Sequence, residues 1–380
     1  MGMGFPELYN DELAMKAKIN SGKVNPDEVW NYCIVGCVEI MMPGREYAHT
    51  EGARINWAKI LENMLHNEKT WEIKNFSEFY YQFKQELKIV TETICNYIDI
   101  VSGLYPTRYP TPFTSLLMDG CIEKAKDVTD CGTIYNNLCI NCVGFASTVD
   151  SLQAIEELVY KDKIVSLSEL SLLLKNDFKD GKGLQNRMIN CSKYGNDMND
   201  VDSKANDLAE FFTEILDTYK LQYRDGKVQA GFYTSYFHAD FGKLTGATPD
   251  GRKSGMPLSS SLSAMSGMDK SGPTALINSA NSINMERFGN GVVLDMKFTS
   301  DFLKIKKHAI ALQLLVEEYF RSGGMEIQFN IADKETLKKA QQNPQEYSNL
   351  IVRVSGFSAY FVSLDKLLQD EIINRMEQDE

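Results

Sequence analysis

From Phe76 onward the apolar residues Phe79, Phe83, Leu87, Val90, Ile94, Tyr97 and Val101 recur three and four positions apart, which is the spacing of one helix face. Asn75 with Glu78 three residues later marks its start. Ser166 and Glu169 form a capping box opening "SLSELSLLLKNDF", and in "INWAKILENML" Trp57, Ile60, Leu61, Met64 and Leu65 share a face. The first two-thirds of the chain therefore reads as mainly helical. Further on the period changes to two: Met325, Ile327, Phe329 and Ile331 alternate with Glu326, Gln328 and Asn330, and Leu294, Met296 and Phe298 alternate with Asp295 and Lys297. Between these strands "HAIALQLLVEEYFRSGG" predicts a helix ended by Gly323 and Gly324, giving a right-handed parallel crossover. The fold class is α/β.

Residues 245 to 274, "TGATPDGRKSGMPLSSSLSAMSGMDKSGPT", read as a long irregular connection, and Pro249, Asp250 and Gly251 predict specific turns within it. The 380 residues suffice for a large core, and 43% hydrophobic with 24% charged residues fits a globular chain. A net charge of -12 offers no basic footprint for nucleic acid. With no long apolar run, and with "MGMGFPELYNDE" lacking a basic and an apolar leader region, a cytoplasmic protein without a membrane partner is expected.

The 8 cysteines are too sparse for a disulfide scaffold. Cys139 and Cys142 make a C-x-x-C that reads as core thiols rather than a metal half-site, since no second pair follows and the four histidines are scattered. No bound metal is expected. Two short stretches carry chemistry. In "GCVE", Cys37 and Glu39 stand two apart, so that a loop or strand presents both to one side: a reactive thiol with a general acid/base, or a buried thiol beside a capping glutamate. In "VRVSGFSAYF", Gly356 is flanked by Arg353, Phe357, Tyr360 and Phe361: a turn, or a site needing a bare α-carbon.

Together the two stretches resemble the paired signature of the glycyl radical enzymes. The likeness extends over nearly the whole chain: "YNDE" at 9 to 12, "DGCIEKAKD" at 119 to 127, "VGFASTVDSLQAI" at 143 to 155, "KYGND" at 193 to 197, "TGATPDGRKSG" at 245 to 255 and "LQDEIINR" at 368 to 375. The resemblance implies that Gly356 stores an unpaired electron on its α-carbon, that Cys37 becomes a thiyl radical, and that Glu39 serves as general acid/base. A planar backbone radical is stabilised by its flanking amides and tolerates no crowding side chain, which leaves glycine. Phe357, Tyr360 and Phe361 are expected to pack the loop against water and oxygen, with Arg353 and Asp365 fixing it.

The same resemblance implies no bound cofactor but a glycyl radical installed by a separate activase that uses S-adenosylmethionine and an iron-sulfur cluster. Pyruvate formate-lyases of this family carry two adjacent cysteines, whereas glycine and valine flank Cys37 here. "GCVE" is similar instead to the radical eliminases acting on glycerol or propanediol, hydroxyproline, choline and sulfonates. A lyase or dehydratase breaking a C–O, C–N or C–S bond of a small polar substrate follows; formate C-acetyltransferase-type or decarboxylase chemistry, or a non-catalytic remnant or spare radical domain, are the alternatives. His49 and Glu51, Tyr135 and Gln328 are candidate substrate contacts, with Asn136, His238, Asp240 and Asn330 also able to point inward.

Family members are about twice as long, with the cysteine near mid-chain. The expected fold is therefore the C-terminal half of a ten-stranded α/β barrel with the N-terminal half missing, residues 1–330 forming a partial barrel with the cysteine loop and 331–380 the glycine radical domain. A separate N-terminal half-barrel chain is an expected partner, and a complete enzyme is expected to be a homo-oligomer.

Overall fold

A computed structural model of the chain describes residues 7 to 378. Residues 1–6, which open the stretch read for a leader, and 379–380 lie outside the described residues. Its strands are β1 (Glu7–Tyr9), β2 (Cys33–Val35), β3 (Glu39–Met41), β4 (His49–Asn56), β5 (Leu138–Val143), β6 (Val228–Gly231), β7 (Asp295–Phe298), β8 (Glu326–Ile331), β9 (Ile351–Arg353) and β10 (Ser358–Tyr360). β4, β5 and β6 form one parallel sheet; β7 and β8 form another, with β1 antiparallel on β8. A parallel bridge from Phe232 to Val292 carries the first sheet into the second. The order is thus β4-β5-β6-β7-β8-β1, five parallel strands with one antiparallel neighbour, and among the described residues no further strand pairs with the outer edge of β4 or of β1.

Alternation gives this sheet two unlike faces. Outward, Ile55, Leu138, Ile140 and Cys142 join the main core beneath the helices Trp57–Leu65, Phe145–Ile155 and Asn199–Thr218, where Trp57 packs edge-on against Phe145 and Phe212. Inward, Asn141, Gln229, Asp295, Gln328 and Asn330 are buried polar groups. The alternating strands expected near the C-terminus are β7 and β8, and they are parallel, joined through the helix Lys306–Arg321. Both faces are covered, so their polar residues line an interior rather than meeting solvent. Cys139 and Cys142, three apart on β5, point to opposite faces and are both buried.

The predicted helices stand at Trp57–Leu65, Phe76–Arg108 and Leu167–Lys175; Asn75 accepts from the Glu78 amide, and Ser166 and Glu169 make the reciprocal capping box. β4, β5 and β6 interrupt the helical reading of the first two-thirds. Residues 245–274 follow specific turns, as expected, with buried Arg252 donating to the carbonyls of Thr245, Gly246, Lys253 and Met256. The C-terminal segment builds a separate small core from Leu337, Val352, Val354, Phe361 and Ile372.

Candidate active site

Two hairpins meet on the inner side of the sheet. In the first, β2 pairs antiparallel with β3 around Gly36, Cys37 and Val38, with Gly36 at φ +64°. Glu39 folds back under its own loop: one carboxylate oxygen accepts the Cys37 amide at 2.6 Å and the Val38 amide at 2.8 Å. The other accepts the Tyr233 hydroxyl at 3.1 Å. A Cβ at position 36 would lie 2.6 Å from this carboxylate, so the glycine makes room for it. Tyr9 donates to the Val38 carbonyl at 2.6 Å and anchors the far side of the turn.

In the second hairpin, β9 and β10 pair antiparallel and Val354 N donates to Phe357 O at 2.9 Å across the turn. Gly356 sits at the tip with φ +80°, in the left-handed region that glycine enters without strain. Its α-carbon faces the cysteine loop so closely that an added Cβ would stand 2.6 Å from Cys37 Cβ and 3.4 Å from Val38 Cγ1. Only a residue without a side chain fits. The tip is held by Gln328, whose carboxamide oxygen accepts Gly356 N at 3.1 Å and the Arg353 guanidinium, and by Arg353 donating to Gly356 O at 3.2 Å. Arg353 pairs with Glu7, Asn330 exchanges two 2.7 Å hydrogen bonds with the Arg353 backbone, and Arg375 donates to Val354 O at 2.5 Å.

Burial pushes the Cys37 thiol up to about 11, and the nearby Glu39 and Glu51 charges push in the same direction. At neutral pH the sulfur keeps its hydrogen. That suits hydrogen-atom exchange and disfavours a thiolate nucleophile.

Glu51 joins this group: it ion-pairs with Arg54, and burial raises its carboxyl against the lowering pull of Arg54 and Tyr233. The other expected contacts are engaged with partners of their own. His49 is wedged between Tyr47 and Tyr105 with Nε2 3.1 Å from Arg224 Nη1, and burial with the Arg224 charge pushes it down to about 3, leaving a neutral ring engaged with arginine. Tyr135 donates to Glu28 at 2.7 Å, and Asn136 to Asp225 at 2.7 Å. Gln328 and Asn330 hold the glycine hairpin. His238 lies fully buried between Thr234 and Glu371, while Asp240 pairs with Lys243 on the surface. Asp365 caps the helix Lys366–Asn374 through Leu368 N rather than fixing the glycine turn, and Tyr360 is 52% exposed, so only Phe361 of the flanking aromatics is fully buried. Sequence reasoning gave no role to Tyr233, Tyr9 and Arg375, which are tied to the two loops only by long-range contacts; Tyr9 does open the quoted "YNDE" and Arg375 does close the quoted "LQDEIINR". Among the described residues no cluster of histidine, cysteine and carboxylate side chains is arranged to hold a metal ion, and no helix is long and apolar enough to cross a membrane.

Residues 1–242 match the pyruvate formate lyase-like family model and residues 258–362 the glycine radical model. The chain is 30% identical to the (2S)-3-sulfopropanediol dehydratase of Klebsiella oxytoca, over 99% of this chain and 48% of that protein. It is 32% identical to the trans-4-hydroxy-L-proline dehydratase of Clostridioides difficile, over 99% of this chain and 49% of that one. Its fold superposes with a TM-score of 0.94 on the glycerol-bound B12-independent glycerol dehydratase from Clostridium butyricum, at 36% identity, covering all of this chain and 50% of that one. The chain spans about half the length of the curated relatives it matches. A thiol loop against which a bare α-carbon is packed, inside a sheet of this topology and under both family models, makes this chain a member of the pyruvate formate lyase-like family of glycyl radical enzymes.

Proposed function

We propose that this chain is the radical-bearing part of a glycyl radical lyase that eliminates a C–O, C–N or C–S leaving group from a small polar substrate. The observation that carries the reading is the approach of Gly356 to Cys37, where an added Cβ would stand 2.6 Å from Cys37 Cβ. In this mechanism the Gly356 α-carbon radical takes the hydrogen atom from the Cys37 S–H and becomes an ordinary glycine. The resulting thiyl takes a hydrogen atom from a substrate carbon and is again S–H. Glu39, two residues on and lying beneath the loop, accepts a proton from the substrate hydroxyl and returns it to the departing group. The leaving group departs from the neighbouring carbon, the product radical recovers the hydrogen atom of Cys37, and the thiyl recovers that of Gly356. Glu51 is the substrate-facing acceptor beside Glu39. The protein contributes orientation and exclusion of water, and the radical contributes the difficult bond cleavage.

The segment from 331 onward, with its own apolar core, acts as the radical-bearing unit. A separate activase of the radical S-adenosylmethionine type, carrying its own iron-sulfur cluster, installs the radical. A polypeptide equivalent to the other half of the relatives completes the barrel, and the outer edges of β4 and β1, unpaired among the described residues, favour this.

Anaerobic activation, electron paramagnetic resonance and a substrate panel of diols, hydroxyproline, choline and isethionate test the reading. Cys37→Ser is expected to hold a glycyl signal and turn over none of the panel. Turnover by that variant contradicts the role of Cys37.

A further inference from the structure

β4 breaks register with β5 between His49 and Ala53. Three side chains pin the break through one carbonyl: Thr50 O accepts Asn141 Nδ2 at 3.1 Å, Asn290 Nδ2 at 2.9 Å and the Tyr233 hydroxyl at 2.9 Å. Gly52 permits the close passage, since a Cβ there would lie 2.7 Å from Cys139 O. Strict alternation would put residues 51 and 54 on opposite faces; the break brings Glu51 and Arg54 together as an ion pair.

Arg54 is held in place. Its side chain is only 11% exposed, and its guanidinium lies 4.0 Å from the centre of the Phe237 ring and 5.8 Å from that of Tyr233. Glu51 is 43% exposed. The Tyr233 hydroxyl that reaches Glu39 also faces Glu51, so Cys37, Glu39, Tyr233, Glu51 and Arg54 form one continuous set. Without Arg54, two carboxylates beside the thiol would favour a cationic guest.

We propose that Arg54 is the specificity-determining residue of this site: by fixing and neutralising Glu51 it makes that carboxylate an acceptor for a neutral hydroxyl, so the substrate is an uncharged or anionic hydroxy compound and not an ammonium compound. The inference rests on the reading that Cys37 and Glu51 face the substrate. It concerns a positioning residue acting through Glu51, and it goes beyond the radical steps.

The test uses the unactivated full chain. The rates at which cationic trimethylammonioethyl methanethiosulfonate and anionic sulfonatoethyl methanethiosulfonate modify Cys37 are followed by peptide mass spectrometry. Arg54→Gln is expected to raise the cationic-to-anionic rate ratio by about tenfold, the size of one charge at a partly buried site. Arg54→Lys restores most of the ratio, and Glu51→Gln moves it the opposite way. An unchanged ratio in Arg54→Gln, an equal change with both reagents, or a wild-type thiol that neither reagent reaches overturns the proposal. Because no radical is needed, a failure to form the glycyl signal sinks the mechanism above while leaving this ratio standing.

Discussion

The two hairpins that meet at the site are positioned by different forces. The cysteine hairpin is rooted in packing: Ile40 belongs to the main core, Val38 is buried with Tyr233 and Val293, and Glu39 braces the loop from within. The glycine hairpin rests on its own small core and meets the rest of the chain largely through polar contacts, with Glu7, Gln328 and Asn330 on one side and Arg375 on the other. Apolar packing is indifferent to pH. Ion pairs are not, so the anchoring of the glycine hairpin carries a pH dependence that the apolar packing beneath the cysteine hairpin lacks.

Removing the bare α-carbon is expected to have the largest effect. Gly356→Ala puts a Cβ at φ +80° into contact with Cys37, so the glycyl signal should be absent after activation, and strain of about 1–3 kcal/mol should show in urea unfolding. A normal signal in that variant would show that the approach is not tight.

Next comes the charge array behind the glycine hairpin. Arg375 lies against Glu371 at 2.9 Å and Asp295 at 3.6 Å, all buried, so Arg375→Met should cost about 3–5 kcal/mol by leaving two acids without their cation. Burial alone would raise Glu371, but the Arg375 charge overrides it and His238 adds to the pull, so the carboxyl titrates well below its ordinary 4.5. A depressed folded pKa means that this stabilisation is fully present above 4.5 and is lost as the pH falls below it. Asp295 is raised by burial and acts in the opposite sense, so the slope is read as the difference between wild type and Glu371→Gln in urea midpoints from about pH 5 to pH 3. Parallel lines for the two proteins would remove Glu371 from the account. The smallest change is expected at Tyr360, where replacing an exposed ring by serine should shift stability by less than about 0.5 kcal/mol, whereas a larger loss would mean that the ring packs against something.

The same contrast explains what the sequence disclosed. The helix Phe76–Arg108 and the strands β7 and β8 were legible because apolar spacing records which face is covered, and the caps at Asn75 and Ser166 because capping is local. β1, β2, β3, β9 and β10 are three residues each, too short for a period, while β5 is buried on both faces and shows no alternation. Cys37, Glu39 and Gly356 were legible through their motifs. Tyr233 and Arg375 were not singled out, because a single polar residue acquires its meaning from partners distant in sequence. His49 shows the converse: the resemblance offers it as a substrate contact, and the β4 strand seats its ring against Arg224.

The central claim is that hydrogen passes between the Gly356 α-carbon and the Cys37 sulfur. A thiol hydrogen exchanges with solvent, so the glycyl signal formed in D2O should collapse from the doublet split by the single remaining α-hydrogen to a singlet, while Cys37→Ser keeps the doublet. A wild-type doublet that persists in D2O, or a collapse that occurs equally in Cys37→Ser, would contradict it.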